Sequence, residues 1–117
     1  MALGVTDPDR AVTFYRDVLG LRLIARFDPP GLVFFDLGGT RLLLEQGAPA
    51  SLLYLTVDDI DAATSELRAQ GVEFVDEPHC IHVDDDGAFG EPGVAEWMVF
   101  FKDSEGNLVA LDERRTP

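Results

Sequence analysis

The stretch VFFKDSEGNLVALDE, from Val99 to Glu113, has the pattern of a β-hairpin. An apolar strand ends at Phe101, a polar turn passes through Gly106, and the residues after the turn alternate in polarity. A shorter copy, VFFDLGGTRLLLE, begins at Val33. Two hairpins with the same pattern indicate that the chain contains an internal repeat.

The segments that precede the two hairpins also resemble each other. VTDPDRAVTFYRDVLGL begins at Val5, and VDDIDAATSELRAQGV begins at Val57. In each segment an Asp (Asp7 or Asp59) stands where a helix N-cap is expected, apolar residues recur with helical spacing, and a glycine follows. We therefore expect one helix after the first strand of each copy.

Together these patterns predict an α+β protein with two βαβββ modules, residues 1–46 and residues 51–113, in a single domain over 1–117. The strands predicted for the first module are 2–6, 22–27, 32–36 and 41–45. Those predicted for the second are 52–57, 72–74 with a continuation over 77–83, 95–101 and 108–112. Residues 84–93 are expected to form a loop that the first module lacks, and 114–117 a tail. We expect a ligand to bind between the modules.

The composition restricts the possible partners. The 117 residues include 22 acidic and 9 basic side chains, which give a net charge of −13. Contacts to nucleic acid or to anionic lipid need clustered Lys and Arg, so we expect no nucleic-acid partner. No apolar run reaches the length of a membrane span, and no signal peptide is recognisable. Cys80 is the only cysteine, which excludes an intrachain disulfide and fits the cytoplasm.

Two motifs make the pattern specific. D-x-D-x-A-x-x-F-Y-x-D-x-L-G-L runs from Asp7 to Leu21, and F-x-D-x-x-G-N-L runs from Phe101 to Leu108. A duplicated βαβββ unit with these motifs resembles the vicinal oxygen chelate superfamily, which includes glyoxalase I, extradiol dioxygenases and bleomycin-resistance proteins. The resemblance covers nearly the whole chain and implies a cup-shaped, mainly antiparallel sheet. One fold hosts many chemistries, so the activity must be argued from the site.

The resemblance also implies where a metal would bind. In the metal enzymes of the superfamily, His, Gln or Glu ligands come from the first and last strands of each module. Here these positions correspond to Leu43, Leu52 and Ala110, and the fourth falls ahead of Met1. Leu and Ala have no donor atoms for a metal ion. We therefore expect no metal and no other cofactor, as in the bleomycin-resistance-like members.

His79 and His82 leave several alternatives open. Two residues three apart on a strand are expected on opposite faces, so that one histidine would support a loop or cap a backbone carbonyl and the other would face water. Either could instead line the cavity as a hydrogen-bonding or acid–base group. A third alternative is a displaced metal site with Glu91 or Glu96.

Strand alternation places Leu52 and Tyr54 on the same face as Ala110, whereas Trp97 either lines the cavity or fills the core. No catalytic residue is identified. The predicted ligand-binding cavity comprises Leu43, Leu52, Tyr54, His79, His82, Trp97 and Ala110.

Two main functions follow from these expectations. The first is a metal-free protein that binds a small amphipathic or cationic molecule in an apolar cavity. The second is a metal-dependent lyase, isomerase or dioxygenase with displaced ligands. A family member without any tight ligand is the remaining alternative. Modules of this kind can pair within a chain or across chains, and because pairing across chains is common in this superfamily, the resemblance further implies a homodimer.

Overall fold

The computed structural model describes residues 2–29, 31–48, 52–88 and 90–116. The first of its two four-stranded sheets has the strand order β1-β4-β3-β2, with β1 parallel to β4 and the other pairs antiparallel. Its elements are β1 (Ala2–Val5), helix α1 (Pro8–Val12), a π-helical segment (Thr13–Val18), β2 (Arg22–Phe27), β3 (Leu32–Asp36) and β4 (Arg41–Gln46).

The second sheet repeats this arrangement with the order β5-β8-β7-β6. Its elements are β5 (Leu52–Thr56), helix α2 (Ile60–Ala69), β6 (His79–Asp84), β7 (Val94–Lys102) and β8 (Leu108–Arg115). In both sheets the first strand along the chain lies beside the last, with the helix between them in sequence. The predicted α+β fold of two βαβββ modules is therefore confirmed.

By contacts, the chain divides into two compact units. One contains residues Met1–Leu52 together with Lys102–Leu108, and the other contains Leu53–Phe101 together with Val109–Pro117. The turn of the second hairpin thus belongs to the first unit. The single domain and the module boundaries at 46 and 51 stay predictions.

Both helices begin at the predicted caps. The Asp7 carboxylate accepts hydrogen bonds from the amides of Asp9 and Arg10, and the Asp59 carboxylate accepts one from Ala62. The helices end before glycines with positive φ, Gly20 at 74° and Gly71 at 91°, a conformation that a residue with a Cβ rarely adopts. No helix in the described part of the chain is long and apolar enough to cross a bilayer.

Each sheet packs its own helix against one face. In the first sheet the fully buried side chains of this face include Leu3, Val33, Phe35, Leu42 and Leu44, and the Tyr15 ring lies 5.7 Å from the Phe35 ring. In the second they include Leu53, Val99, Phe101, Val109 and Leu111. Burial of each such side chain stabilises the fold by about 1.5–3 kcal/mol.

Two predicted boundaries are wrong. Residues 72–74 do not form a strand: Phe74 makes an isolated bridge to Phe101, and the Asp76 side chain takes the amide of Phe100 that a strand partner would have bonded. The predicted tail is also wrong at its start, because β8 continues to Arg115. The Arg115 guanidinium donates to Asp61, which holds the strand end against α2.

Candidate functional site

The two sequence motifs meet in a buried hydrogen-bond network. The Tyr15 hydroxyl donates to Asp103 Oδ2 at 2.6 Å, and the Asn107 side-chain amide donates to the same oxygen and to the Gly4 carbonyl. The other Asp103 oxygen accepts from the backbone amides of Glu105 and Asn107. Burial, followed by the Asp103 carboxylate, raises the pKa of Tyr15. Because its polar groups are partnered, this network is a structural element that fixes the hairpin turn.

Glu105 extends this element to the start of α1. Its buried carboxylate accepts from the amides of Thr6 and Asp7, and the Arg10 guanidinium donates to it at 2.7 Å. Burial acts to raise the pKa of Glu105, but these hydrogen bonds outweigh it and hold the pKa below its ordinary value. The motif residues therefore explain the fold and leave the ligand site to be found elsewhere.

The second sheet has one face that does not carry its helix. The amide of Ile60, at the start of α2, donates to Glu113, and Asp61 of α2 pairs with Arg115. Glu113 and Arg115 thus lie on the helix-bearing face. Since side chains alternate along a strand, the other β8 side chains, Ala110, Asp112 and Arg114, lie on the opposite face, which we call the helix-free face of the second sheet.

Both histidines lie on this helix-free face. Glu96 of β7 lies there too, since its carboxylate is 3.6 Å from the Arg114 guanidinium. The register pairs His82 with Glu96 and His79 with Met98, which is two residues from Glu96 and shares its face. The prediction that the histidines point to opposite faces is wrong, because a bulge between Cys80 and His82 inserts one residue. Both side chains are exposed, and His79 Nδ1 lies 2.8 Å from the carbonyl oxygen of Glu77.

Trp97 lies on the helix-bearing face. It pairs in register with Cys80, and the Arg115 guanidinium stacks 4.1 Å from the centre of its ring. This geometry is a cation–π contact within the packing of the half-buried indole. Of the two alternatives for Trp97, packing is therefore favoured, and Trp97 is not part of the site proposed below.

The remaining predicted site residues lie in both sheets. Leu43 is half-buried in the first sheet, where it pairs with Ala2 and Phe34. In the internal repeat, Ala2 corresponds to Tyr54 and Leu43 corresponds to Ala110. Because Ala2 pairs with Leu43 in the first sheet, Tyr54 lies beside Ala110 in the second. Ala110 is fully buried, whereas Tyr54 is 53% exposed and Leu52, two residues earlier, is 41% exposed. The structure thus brings Tyr54, Ala110, His79 and His82 to one face of the second sheet.

The sequence prediction did not identify a carboxyl pair on the same face, Glu96 and Asp112. Their side chains are hydrogen-bonded to each other, and Asp112 Oδ1 is buried with no hydrogen-bond partner among the described residues. Burial, then the hydrogen bond and the charge of Glu96, raise the pKa of Asp112 to about 7, against an opposing effect of Arg114. The alternation of Ala110, Asp112 and Arg114 was the available signal, but the strand was predicted to end at Asp112.

Arg114 and Asp84 complete the cluster. The Arg114 guanidinium lies 3.5 Å from the Asp84 carboxylate and 3.6 Å from that of Glu96. Asp84 is buried at the end of β6, and its Oδ1 accepts from the amide of Ala88, which orders the loop that follows. Among the described residues, no group of three or more His, Cys, Asp or Glu side chains is arranged to hold a metal ion. The expected absence of a metal stays a prediction.

Comparison with known proteins gives the family. Residues 1–111 match the family described as Glyoxalase/Bleomycin resistance protein/Dioxygenase superfamily. No curated protein sequence matches the chain. Among solved structures, lactoylglutathione lyase from Agrobacterium tumefaciens is 25% identical with a TM-score of 0.72, covering 97% of this chain and 90% of its own.

Two further structures share the fold. A glyoxalase/bleomycin resistance protein/dioxygenase from Nocardioides is 20% identical with a TM-score of 0.74, covering 98% of this chain and 81% of its own. TnmS3, an antibiotic binding protein from Streptomyces sp. CB03234, is 24% identical with a TM-score of 0.69, covering 97% and 92%. The predicted resemblance is confirmed: the chain belongs to the glyoxalase/bleomycin resistance protein/dioxygenase superfamily.

Proposed function

We propose that this protein binds a small amphipathic molecule with a positive charge, without a metal, at the helix-free face of the second sheet. The observation that carries the proposal is an exposed aromatic ring and a carboxyl pair on the same sheet face. Tyr54 of β5 lies beside Ala110 of β8. Asp112 comes two residues after Ala110 in β8, on the same face and about 7 Å further along the strand. A ligand that combines an apolar body with a cationic group fits this spacing.

The chemistry of the face supports this ligand class. The Tyr54 ring offers apolar area and a π-face that attracts cations, and Glu96 with Asp112 offers negative charge. The net charge of −13 raises the local concentration of cations. That TnmS3 is an antibiotic binding protein adds support by analogy of fold alone.

A matched pair of variants tests the proposal. Tyr54 and Phe27 are almost equally exposed, at 53% and 52%, but Phe27 lies on β2 of the first sheet. In a thermal-shift screen of amphipathic ammonium compounds, we expect binders whose stabilisation is lost in Tyr54→Ala and kept in Phe27→Ala. A ligand at about 100 times its Kd stabilises by about 2.7 kcal/mol, which such a screen resolves. Equal loss in both variants, or binding only with an added divalent metal, would overturn the proposal.

The metal-dependent lyase, isomerase or dioxygenase is the second candidate. One observation favours it, since the bulge brings His79 and His82 to the face of Glu96. Elemental analysis of protein purified without chelator tests this candidate. Stoichiometric Zn, Ni, Mn or Fe that is lost in His79→Ala or His82→Ala would establish it in place of the metal-free proposal.

The expected homodimer and cytoplasmic location are further proposals. The exposed free thiol of Cys80 supports a reducing compartment. Light scattering coupled to size-exclusion chromatography tests the assembly, and a single species of 12.8 kDa would contradict it.

A further inference from the structure

We propose that the Glu96–Asp112 pair recognises the positive charge of the ligand, and that a bound cation replaces a proton that the two carboxyl groups share. This inference rests on the proposed function and adds to it a specificity-determining pair and a pH dependence of binding.

The geometry of the pair favours one shared proton in the unliganded protein. Asp112 Oδ1 is buried without a hydrogen-bond partner among the described residues, and the side chain is hydrogen-bonded to Glu96. An ionised carboxylate with a buried, unpartnered oxygen is costly, and two adjacent carboxylates repel. A protonated Asp112 that donates to Glu96 lowers the first cost, because its buried oxygen is then uncharged, and removes the second. The raised pKa of Asp112, about 7, agrees with this arrangement.

In the described ion pairs around Glu96 and Asp112, the carboxylates outnumber the guanidinium groups. Arg114 lies 3.5 Å from Asp84 and 3.6 Å from Glu96, so one guanidinium is shared by two carboxylates before Asp112 ionises. When Asp112 is ionised, three carboxylates face one guanidinium. The titratable and charged side chains on this face, taken over β5, β6, β7 and β8, are Tyr54, His79, His82, Asp84, Glu96, Lys102, Asp112 and Arg114, with Lys102 six residues from Glu96 at the far end of β7.

An organic cation fits the missing charge better than a metal ion does. The described residues contain no group of His, Cys, Asp or Glu arranged to hold a metal. Tyr54, about 7 Å from Asp112 along the sheet, supplies a surface for the apolar body of the ligand. The pair would thus distinguish an aromatic ammonium compound from a neutral compound of the same shape.

The sign of the pH dependence follows from the exchange. Below about pH 7 the pair holds its proton, and a cation must displace it. The Kd for a cation of fixed charge therefore falls as pH rises, by up to tenfold per pH unit, and becomes constant once the pair is ionised. A neutral ligand displaces no proton, so its Kd stays constant.

Calorimetric titration with two probes tests this exchange. The cation is (1-naphthylmethyl)trimethylammonium, whose charge does not change with pH, and the neutral probe is 1-naphthylmethanol. Between pH 5.5 and 8.5, in two buffers of different ionisation enthalpy, we expect the cation to bind more tightly as pH rises. Near pH 6 its binding should release close to one proton, and the neutral probe should release none.

Variants assign the effect to the pair. Asp112→Asn keeps the shape of a protonated Asp112, and we expect it to abolish proton release and to weaken the cation at least tenfold above pH 8. Glu96→Gln should act in the same way, which keeps the test decisive if one variant does not fold. Asp58→Asn, an exposed carboxylate outside the cluster, is the control and should leave both probes unchanged.

The outcomes separate the inference from the proposed function. If the cation binds with a pH-independent Kd, or equally well to Asp112→Asn, the inference fails and the proposed function stands. If the pH dependence disappears only in His82→Gln, the histidine titrates in place of the pair and the inference also fails. If neither probe binds, the proposed function fails and the inference fails with it.

Discussion

The two sheets have the same strand order but differ on their helix-free faces. In the first sheet the middle of this face is apolar, with half-buried Leu32, Phe34 and Leu43 and the exposed ring of Phe27. The charged residues on the same face, Asp36, Arg41 and Glu45, lie at or next to the ends of their strands. In the second sheet it holds the titratable cluster around Glu96 and Asp112. The helix-bearing faces, in contrast, repeat almost residue for residue: Val33, Phe35, Leu42 and Leu44 correspond to Val99, Phe101, Val109 and Leu111.

This difference separates the part of the repeat that is fixed by folding from the part that we propose binds a ligand. A helix must bury an apolar face against each sheet, so the residues of that face are fixed by packing in both copies. The opposite face is free of that requirement and can differ. Glu45 and Asp112 show this, because they correspond by the repeat: Glu45 is exposed, whereas Asp112 has a buried oxygen beside Glu96.

The largest predicted effect tests the two faces of one strand. Phe35→Ala should lower the free energy of unfolding by about 3–5 kcal/mol, because the ring is fully buried against Tyr15. Phe101→Ala, its counterpart in the second sheet, should cost a similar amount. Phe34→Ala should cost less than half as much, because its ring is only half-buried. Urea denaturation measures all three, and equal costs for Phe34 and Phe35 would contradict the assignment of faces.

The second prediction compares the two hairpin turns. Asn107→Ala removes the hydrogen bonds to Asp103 and Gly4 and leaves both buried acceptors without this donor, at a cost of about 2–3 kcal/mol. Thr40→Ala changes an exposed residue in the turn of the first hairpin and should cost less than about 0.5 kcal/mol. Chemical denaturation distinguishes the two, and a neutral Asn107→Ala would show that the network is dispensable.

The repeat, the strand order and the helix caps could be predicted because their signals are local. An Asp before a helix, a glycine after it and alternating apolar residues each act within a few positions of the chain. Phe35 and Phe101 therefore lie where the alternation places them. The family motifs also act locally, since each fixes one turn or one helix start.

The candidate site was less predictable, for two physical reasons. The bulge in β6 depends on how that strand pairs with β7, and no glycine or proline between Cys80 and His82 indicates it. The Glu96–Asp112 pair joins two strands, and its shared proton depends on burial that only the folded chain provides. Single residues could be assigned to strands, but their neighbours across the sheet could not.

The third prediction concerns the pH dependence of stability. The pKa of Asp112 is about 7 in the folded protein and 3.8 in its ordinary state, so the folded state binds the proton more tightly. Its contribution to stability is complete below about pH 4 and is lost as pH rises through 7. Discounted for solvent screening, the loss is about 1–2 kcal/mol. Asp112→Asn should remove this loss.

Urea denaturation between pH 4.5 and 8 measures the effect, with Glu45→Gln as the control at the corresponding position of the first sheet. Above pH 7 the Asp112→Asn variant should be more stable than the wild type, whereas Glu45→Gln should follow the wild-type curve. Parallel curves for the wild type and Asp112→Asn would mean that the pair does not hold a proton.

The smallest predicted effect is on stability at Tyr54. Because 53% of this residue is exposed and alanine needs no new packing, Tyr54→Ala should change the free energy of unfolding by less than about 0.5 kcal/mol. Phe27→Ala should cost more, about 1 kcal/mol, because its ring contacts Phe34 at 6.1 Å. A binding residue is expected to be dispensable for folding, so Tyr54→Ala must lose ligand while keeping its unfolding curve. If Tyr54→Ala instead destabilises the protein by several kcal/mol, the ring is a packing element and its loss of ligand would say nothing about a binding site.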